Sequence, residues 1–252
     1  MDQFNLAGRV ALVTGAGGGL AEGICSSLAG VGAAVVCVDV DEAKAQARAE
    51  RLKAAGATAS VLACDVSDRG AVEAAVAAAA AMFGGLDILV NNAAIYPSRP
   101  WTEIEEAEWD RVLAVNLKGY FLMARATFPH LKARGRGRIV NVASITVFGG
   151  WPNLLAYVSS KSGIVGFTRA LAREVGPDGV TVNTISPGAF PTAAEAIHPD
   201  PEAYNQYVLD HQSLKRRGVA EDVGNVVAFL ATDAASFITG QDIQVDGGWV
   251  MH

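Results

Sequence analysis

VALVTGAGGGLA, residues 10–21, joins an apolar stretch rich in β-branched side chains to a glycine-rich turn and then to the start of a helix. Residues 10–14 have the continuous apolar character of a strand that is covered on both faces. Gly15, Gly17 and Gly19 follow at once, and glycine lets the backbone turn sharply and lets another group approach it closely. The stretch therefore predicts a buried strand, a tight turn and a helix in immediate succession.

The same alternation of strand-length and helix-length segments continues along the chain. Strands are predicted at residues 10–14, 34–39, 60–64, 86–91, 138–142, 180–185 and 242–245. Helices are predicted at residues 20–29, 42–55, 70–83, 106–134, 154–175 and 220–231. Because the strands are apolar throughout, helices must cover both faces of the sheet. We expect one α/β domain over residues 1–252, with a Rossmann-like, doubly wound fold and a seven-stranded parallel sheet.

Two parts of this domain are expected to differ in role. Residues from 1 to about 145 carry the glycine turn and the first strand ends, where a cofactor would bind. Residues 187–212 form the longest stretch without a clear period. Long irregular loops in compact domains are usually functional, so this stretch is expected to cover a substrate.

The composition indicates a small-molecule partner. The chain has 252 residues, of which 51% are hydrophobic, and this is enough to bury a large core. Its formal net charge of −6 would repel nucleic acid and anionic membrane surfaces, and neither is expected as a partner. Met1-Asp2-Gln3-Phe4 lacks the basic and apolar regions of a signal peptide, so a cytoplasmic location is expected.

The cysteines and histidines do not predict a metal site. Cys25, Cys37 and Cys64 lie inside apolar segments without C-x-x-C or Cys/His spacing. We expect them to be small buried side chains. The four histidines are scattered along the sequence.

The glycine turn has the composition of a dinucleotide-binding loop. Gly15, Gly17, Gly19 and Leu20 would bring backbone N–H groups and the positive end of a helix dipole to a pyrophosphate. A tight strand-to-helix turn without a ligand would use the same glycines. The loop therefore needs support from residues elsewhere.

Asp39 supplies part of that support, because it ends the second strand 24 residues after Gly15. A carboxylate at this place, followed here by Val40, can accept hydrogen bonds from an adenosine ribose and would repel a 2′-phosphate. No Arg or Lys lies in residues 16–21 or immediately after Asp39. We expect NAD as the cofactor rather than NADP; the alternative for Asp39 is a solvated turn residue.

Polar residues also follow the third and fourth strands. Asp65 and Val66 come after the third, and Asn91 and Ala93 lie at the end of the fourth. In open parallel sheets ligands bind beyond the carboxyl ends of the strands, so these residues are expected near the adenine and in the walls of the cleft. Asp65 and Asn91 could equally satisfy local backbone groups in turns.

Tyr157 and Lys161 are the candidate catalytic pair. They lie four residues apart at the start of a predicted helix, which stacks the phenol and the ammonium on one face. A phenol is a poor base at neutral pH, but a neighbouring ammonium and a cationic nicotinamide ring both favour the phenolate. Tyr157 could then accept a proton from an alcohol as hydride leaves, or return it in reduction.

Ser144 and Asn116 strengthen that interpretation. Ser144 lies 13 residues before Tyr157, at the end of the fifth predicted strand, where its hydroxyl can bond to a substrate oxygen. Asn116 is a polar residue between two apolar ones in a long predicted helix, and it could position Lys161 through water. A helical Asn with satisfied hydrogen bonds is the alternative for Asn116.

Together these motifs, spread over nearly the whole chain, resemble those of the short-chain dehydrogenase/reductase family. The matching segments are the glycine turn, residues 91–94, the four candidate catalytic residues and Pro187-Gly188. The resemblance implies that Tyr157 is the acid/base, that Lys161 lowers its pKa and holds the nicotinamide ribose, and that Ser144 orients the carbonyl. It further implies a proton relay through Asn116, contacts from Pro187, Gly188, Phe190 and Thr192 to the cofactor, and a homotetramer.

The sequence departs from the family pattern at two glycine positions. Ala21 replaces the last glycine of the turn, and Ala94 replaces the glycine of an N-N-A-G motif. Neither change removes a functional group. The shape of the cleft near the nicotinamide is what Ala94 would alter.

The expected substrate pocket is mainly apolar. Its predicted walls are Ile95, Tyr96, Ser144, Thr146, Trp151, Asn153, Tyr157 and Phe190. These residues lack the Arg and Lys that a phosphorylated or carrier-linked substrate would need, so we expect a neutral secondary alcohol and its ketone. Residues 95–97 and 237–252 resemble a family member that oxidises an aromatic alcohol. Residues 152–153, with the same tail, resemble one acting on a pyridine compound.

Three other functions fit part of the sequence pattern. A ketoreductase acting on 3-oxoacyl groups of a carrier protein shares the catalytic residues, but it usually prefers NADP. A methyltransferase would leave Ser144, Tyr157 and Lys161 unexplained. A non-catalytic NAD-binding sensor would normally lack one of the four catalytic residues.

Overall fold

Seven parallel strands form one sheet in the computed structural model, which describes residues 3–251 apart from the side chains of 194 and 196. The strand order is β3-β2-β1-β4-β5-β6-β7. The strands are β1 (Val10–Thr14), β2 (Ala34–Asp39), β3 (Ala59–Ala63), β4 (Ile88–Asn91), β5 (Arg138–Val142), β6 (Thr181–Pro187) and β7 (Asp242–Val245). The expected Rossmann-like fold with a seven-stranded parallel sheet is confirmed.

Nine α-helices are present within the described residues. They are α1 (Gly19–Gly30), α2 (Glu42–Ala54), α3 (Arg69–Phe83), α4 (Glu106–Leu113), α5 (Gly119–Arg134), α6 (Thr146–Gly149), α7 (Leu155–Val175), α8 (Pro201–His211) and α9 (Ala220–Ala231). The two largest hydrophobic clusters lie on the two faces of the sheet. Val13 lies in one core and Leu12 in the other, because neighbouring strand residues point to opposite faces. Burial on both faces explains the continuous apolar strands.

The predicted helix at residues 106–134 is interrupted. A π-helical turn, Ala114–Lys118, separates α4 from α5 and contains Asn116. The amide of Asn116 bonds to both backbone groups of Ile95, which holds this turn against the segment that follows β4. Such turns occur often at functional sites.

Residues 187–212 are more regular than expected. They contain a short 3-10 helix, Ala193–Ile197, and helix α8. The local signal for α8 is Asp200-Pro201: the Asp200 carboxylate accepts the Ala203 N–H at 2.9 Å, and proline is favoured in the first turn. The expectation of an irregular loop was therefore wrong for the second half of this stretch.

The strand order reverses between β1 and β4, and this is where an open α/β sheet leaves a crevice. A cavity of about 1010 Å³ opens there. Among residues 3–251, no helix is long and apolar enough to span a bilayer. Met1, Asp2 and His252 lie outside the described residues, so the interpretation of the chain start remains an expectation from the sequence.

Candidate active site

The cavity brings together nearly all of the residues singled out from the sequence. Those that line it are Gly15, Gly17, Gly19, Leu20, Asp39, Val40, Asp65, Val66, Ala93, Ile95, Tyr96, Ser144, Thr146, Trp151, Asn153, Tyr157, Lys161, Pro187, Gly188, Phe190 and Thr192. Asn91 and Asn116 are fully buried and bond to other parts of the protein. We call the part lined by the glycine turn the glycine-lined half, and the part lined by Tyr96, Trp151, Tyr204, Tyr207 and Trp249 the aromatic half; Tyr157 also lines the cavity.

The glycine turn keeps space that side chains would fill. Gly15 has φ of +63°, and a Cβ built on it would lie 2.7 Å from Ala93 Cα. A Cβ on Gly19 would lie 2.7 Å from Thr192 Cγ2, so the segment after β6 closes directly onto the turn. The N-cap residue of α1 is Gly18, which has no side chain to cap the first backbone N–H groups of the helix. These features fit the pyrophosphate of a dinucleotide.

Asp39 lies beside this turn and fixes its shape. Its Oδ2 accepts the Gly17 N–H at 2.8 Å, and its Oδ1 accepts the Asp41 N–H at 3.0 Å. A cation that the sequence reasoning missed, Lys44, also lines the cavity and forms an ion pair with Asp41 at 3.1 Å. Beneath the turn, the buried Arg48 donates to the carbonyl oxygens of Ala16 and Gly18 at 3.3 Å each.

Asp65 lines the cavity with its carboxylate held by neighbours. Ser67 donates to Asp65 Oδ1 from its N–H and its hydroxyl, and Arg111 forms an ion pair with Oδ2 at 3.2 Å. Burial alone would raise the pKa of Asp65, but these hydrogen bonds outweigh it and lower the pKa. Asp65 therefore both satisfies groups of its own turn and lies in the wall of the cleft.

Asn92, rather than Asn91, has the side chain that reaches the glycine turn. Asn92 Nδ2 donates to the carbonyl oxygens of Thr14 and Gly15 at 3.0 Å each. Asn91 Nδ2 donates to Asn141 Oδ1 at 2.9 Å inside the protein. Consecutive side chains point to opposite sides of extended backbone, so only one of the two asparagines can face the turn.

Tyr157 and Ser144 meet at the inner wall of the cavity. Ser144 follows β5, and Tyr157 lies in the first turn of α7. Burial raises the pKa of the Tyr157 hydroxyl to about 12, although the neighbouring Ser144 hydroxyl acts to lower this pKa. Tyr96 packs edge-on against the Tyr157 ring, with 6.3 Å between ring centres.

Lys161 lies one helical turn after Tyr157 and is 1% exposed. Its Nζ donates to the Val142 carbonyl oxygen at 2.6 Å and lies 5.7 Å from the centre of the Tyr157 ring. Burial lowers the pKa of Lys161 to about 7. The expected lowering of the Tyr157 pKa is therefore not produced by the polypeptide alone, because burial disfavours both the phenolate and the ammonium.

Asn116 connects two elements of the site through its side chain. Oδ1 accepts the Ile95 N–H at 2.9 Å, while Nδ2 donates to the Ile95 carbonyl oxygen at 2.8 Å and to Ser160 Oγ at 3.1 Å. Ser160 Oγ in turn donates to the Tyr157 carbonyl oxygen at 2.7 Å. The side chain thus fixes the start of α7, as a satisfied helical asparagine would.

The aromatic half of the cavity includes three residues of the stretch 187–212, which was expected to cover a substrate, and one residue, Trp249, that the sequence analysis did not name. Tyr204 and Tyr207 of α8 line it together with His198 and Trp249. The Trp249 ring packs on Trp151 and on Tyr207, with 5.7 Å between ring centres in each pair. The spacing of three residues places the two tyrosines on one face of the helix, and this spacing can be seen in the sequence. Trp249 comes from the far end of the chain, where no local signal marks it.

Charged side chains around the aromatic half are paired. Glu195 lines the cavity and forms an ion pair with Arg217, whose guanidinium also lies 5.9 Å from the centre of the Tyr204 ring.

In the described part of the chain, no group of three or more His, Cys, Asp or Glu side chains could hold a metal ion. Cys25, Cys37 and Cys64 are buried free thiols.

Comparison with known proteins gives consistent matches along the chain. A family model described as enoyl-(acyl carrier protein) reductase matches residues 15–250. The D-threitol dehydrogenase of Mycolicibacterium smegmatis is 39% identical over 253 residues, covering 98% of this chain and 95% of that protein. The 3-oxoacyl-(acyl-carrier-protein) reductase FabG of Escherichia coli is 35% identical over 249 residues, covering 98% of this chain and all of FabG.

A solved structure agrees with these relatives. It is described provisionally as a short-chain alcohol dehydrogenase from Sinorhizobium meliloti 1021, with 40% identity and a TM-score of 0.93 over 98% of each chain. In this fold the glycine turn, Ser144, Tyr157 and Lys161 line one cavity. The chain therefore belongs to the short-chain dehydrogenase/reductase family, whose members are nicotinamide-dependent oxidoreductases acting on CH–OH and ketone groups.

Proposed function

We propose that the protein interconverts a neutral secondary alcohol and its ketone with NAD, with Tyr157 as the acid/base. The observation that carries the proposal is that Tyr157, with Tyr96 packed edge-on against its ring, lines the same cavity as Ser144 and Lys161. A substrate oxygen bound in the cavity between the Tyr157 and Ser144 hydroxyls would be within reach of both. The glycine-lined half then holds the cofactor, and the aromatic half holds the rest of the substrate.

Each catalytic side chain has one task in alcohol oxidation. Ser144 donates a hydrogen bond to the substrate oxygen, and the Tyr157 oxygen accepts the proton of the substrate hydroxyl. Lys161, charged, stabilises the phenolate form of Tyr157 and would hold the nicotinamide ribose. Bound NAD supplies the hydride acceptor and a positive ring that also favours the phenolate. Reduction of the ketone runs these steps in reverse.

The preference for NAD rests on Asp39. Its carboxylate lines the cavity next to the glycine turn, where it can accept hydrogen bonds from ribose hydroxyls. A 2′-phosphate at this place would meet the same negative charge. Lys44 lies nearby, but its ammonium is paired with Asp41.

The lining of the aromatic half supports a neutral substrate with a flat or cyclic apolar group. Tyr96, Trp151, Tyr204, Tyr207 and Trp249 surround this half. Ring faces and edges favour contact with another ring or an apolar skeleton. The exposed cations in the described lining are Lys44 and Arg111, and both lie on the cofactor side in ion pairs.

A spectrophotometric assay at 340 nm with alcohols and ketones, each with NAD and NADP, tests the proposal. We expect the highest kcat/KM for an aryl or cyclic secondary alcohol with NAD, and loss of about 10²-fold or more in kcat in Tyr157→Phe. Acetoacetyl thioesters turned over far better than simple ketones would instead indicate a carrier-protein ketoreductase. NAD binding without turnover of any substrate would indicate a sensor.

A further inference from the structure

Tyr120 is a buried residue that contacts the candidate catalytic lysine and that none of the sequence motifs includes. It lies in the first turn of α5 and is 1% exposed. Its hydroxyl donates to the Val142 carbonyl oxygen at 3.1 Å and lies 3.2 Å from Lys161 Nζ. Lys161 Nζ donates to the same Val142 oxygen at 2.6 Å, so three polar atoms form a closed triangle inside the protein.

We propose that Tyr120 is a positioning residue for Lys161, holding its ammonium toward Tyr157 through the hydroxyl and the ring face. This inference deepens the proposed function and rests on it for the role of Lys161. An ammonium has three N–H donors. The Val142 oxygen and the Tyr120 oxygen accept two of them, and the third remains for the cavity side, where Tyr157 lies.

A phenol is well suited to this place because it can both donate and accept. When Lys161 is charged, the Tyr120 oxygen accepts an ammonium N–H while its own O–H stays on the Val142 oxygen. When Lys161 is neutral, the same O–H can rotate and donate to the amine lone pair. Tyr120 therefore provides a protein partner for both protonation states of a lysine that is almost fully buried.

The electrostatic surroundings make both states of Lys161 relevant near neutral pH. Burial lowers the pKa of Lys161 to about 7, while burial first, and Tyr157 second, raise the pKa of Tyr120 well above its usual range. Tyr120 thus keeps its proton while Lys161 titrates. The Lys161 Nζ also lies 5.2 Å from the centre of the Tyr120 ring, a distance at which the ring face attracts a cation.

Tyr120→Phe keeps the ring and its packing against Ala143, Ile164 and Val165, and removes only the hydroxyl. The charged form of Lys161 loses a stronger hydrogen bond than the neutral form does, because hydrogen bonds to ions are about twice as strong. The pKa of Lys161 should therefore fall by about one unit. Because the fraction of Lys161 that is charged then falls, kcat for alcohol oxidation should fall roughly fivefold at pH 7.

The pKa of Lys161 can be measured without turnover, by NMR titration of protein labelled with ¹³Cε-lysine. Lys161→Met assigns the signal. We expect a midpoint about one unit lower in Tyr120→Phe than in the wild type. An unchanged midpoint overturns the proposal.

Thr127→Val is the matched control, because it removes another buried hydroxyl of α5, one that donates to the Met123 carbonyl oxygen at 2.8 Å. The control should leave the Lys161 midpoint at the wild-type value, and an equal displacement in both variants also overturns the proposal. Thermal melts show whether each variant is folded. A wild type that oxidises no alcohol defeats the proposed function, whereas the NMR midpoints still decide the role of Tyr120.

Discussion

Asp39 combines a structural and a discriminating role at a single carboxylate. It accepts the Gly17 N–H and also places a negative charge at the cavity wall. Asp39→Asn keeps an oxygen for the Gly17 N–H and removes the charge. We expect the ratio of kcat/KM with NADP to that with NAD to rise by about tenfold or more, since this corresponds to about 1.4 kcal/mol of relieved repulsion.

Lys44 provides the control for that experiment. Without the Asp39 charge, the ammonium of Lys44 is the nearby cation that a 2′-phosphate could meet. Adding Lys44→Gln to Asp39→Asn should therefore reverse part of the gain with NADP and leave kcat/KM with NAD little changed. An Asp39→Asn protein with the wild-type cofactor ratio would contradict the role given to Asp39.

At the level of single residues, the sequence predicted those whose chemistry is tied to a strand end. Ser144, Tyr157 and Asp39 were found because they follow strands or open helices with recognisable patterns. The sequence analysis named Asn91 rather than Asn92. Without knowing how β4 pairs with its neighbours, the sequence does not show which of these two consecutive side chains points toward the glycine turn. Tyr120 of α5 contacts Lys161 of α7, which is far from it in the sequence. A local sequence pattern cannot predict such a contact.

Helix α8 and the chain end form one wall of the aromatic half through Trp249. Its ring contacts both Trp151 and Tyr207. In Trp249→Leu we expect KM for an aryl ketone to rise about fivefold, because an aromatic pair contributes about 1 kcal/mol, while kcat changes much less. Phe237→Leu, at a fully exposed aromatic residue of the same chain end, should leave KM near the wild-type value. Equal effects of the two substitutions would show that the wall does not contact substrate.

At the level of elements, the sheet was more predictable than the segments that cover it. All seven strands were placed within two residues of their observed ends, because continuous apolar runs give a strong signal. The π-helical turn at Ala114–Lys118 was missed because it depends on the bonds from Asn116 to Ile95. Helix α8 was missed because its polar face and its exposed position leave little periodicity, although Asp200-Pro201 marks its start.

For the whole molecule, one exposed carboxylate holds three distant parts of the chain together. Asp233, just after α9, pairs with Arg9 at 2.5 Å and with Arg138 at 3.2 Å, and both arginines are buried. Asp233→Asn leaves two buried guanidinium groups without their carboxylate. We expect a loss of about 2 to 3 kcal/mol in the free energy of unfolding at pH 7, measured by urea denaturation.

This loss should depend on pH in a defined direction. The hydrogen bond from Arg9, together with both arginine charges, lowers the pKa of Asp233 in the folded protein despite its partial burial. The stabilisation is therefore complete above the unfolded-state pKa of about 4 and disappears as the pH falls below it. Asp178→Asn, which breaks the exposed pair with Lys132, should cost under about 1 kcal/mol. A constant difference between the wild type and Asp233→Asn down to pH 3 would contradict the assignment.

The exposed apolar residues of α5 and α7 bear on the assembly of the whole molecule. Phe121 is 45% exposed and Leu155 is 47% exposed, on the two helices that carry Tyr120 and Tyr157. Exposed apolar side chains are common at subunit contacts. We propose a homotetramer, and sedimentation velocity at micromolar concentration should give four times the chain mass.

Phe121→Asp tests which face makes the contact. A carboxylate buried at a subunit interface without a partner is costly, so this variant should sediment as a smaller species than the wild type. Met82→Asp changes an apolar residue of similar exposure, 52%, on α3, and should leave the mass unchanged. A wild-type monomer would refute the tetramer. A wild-type tetramer that survives Phe121→Asp but dissociates in Met82→Asp would move the interface to α3, away from the helices that carry the catalytic side chains.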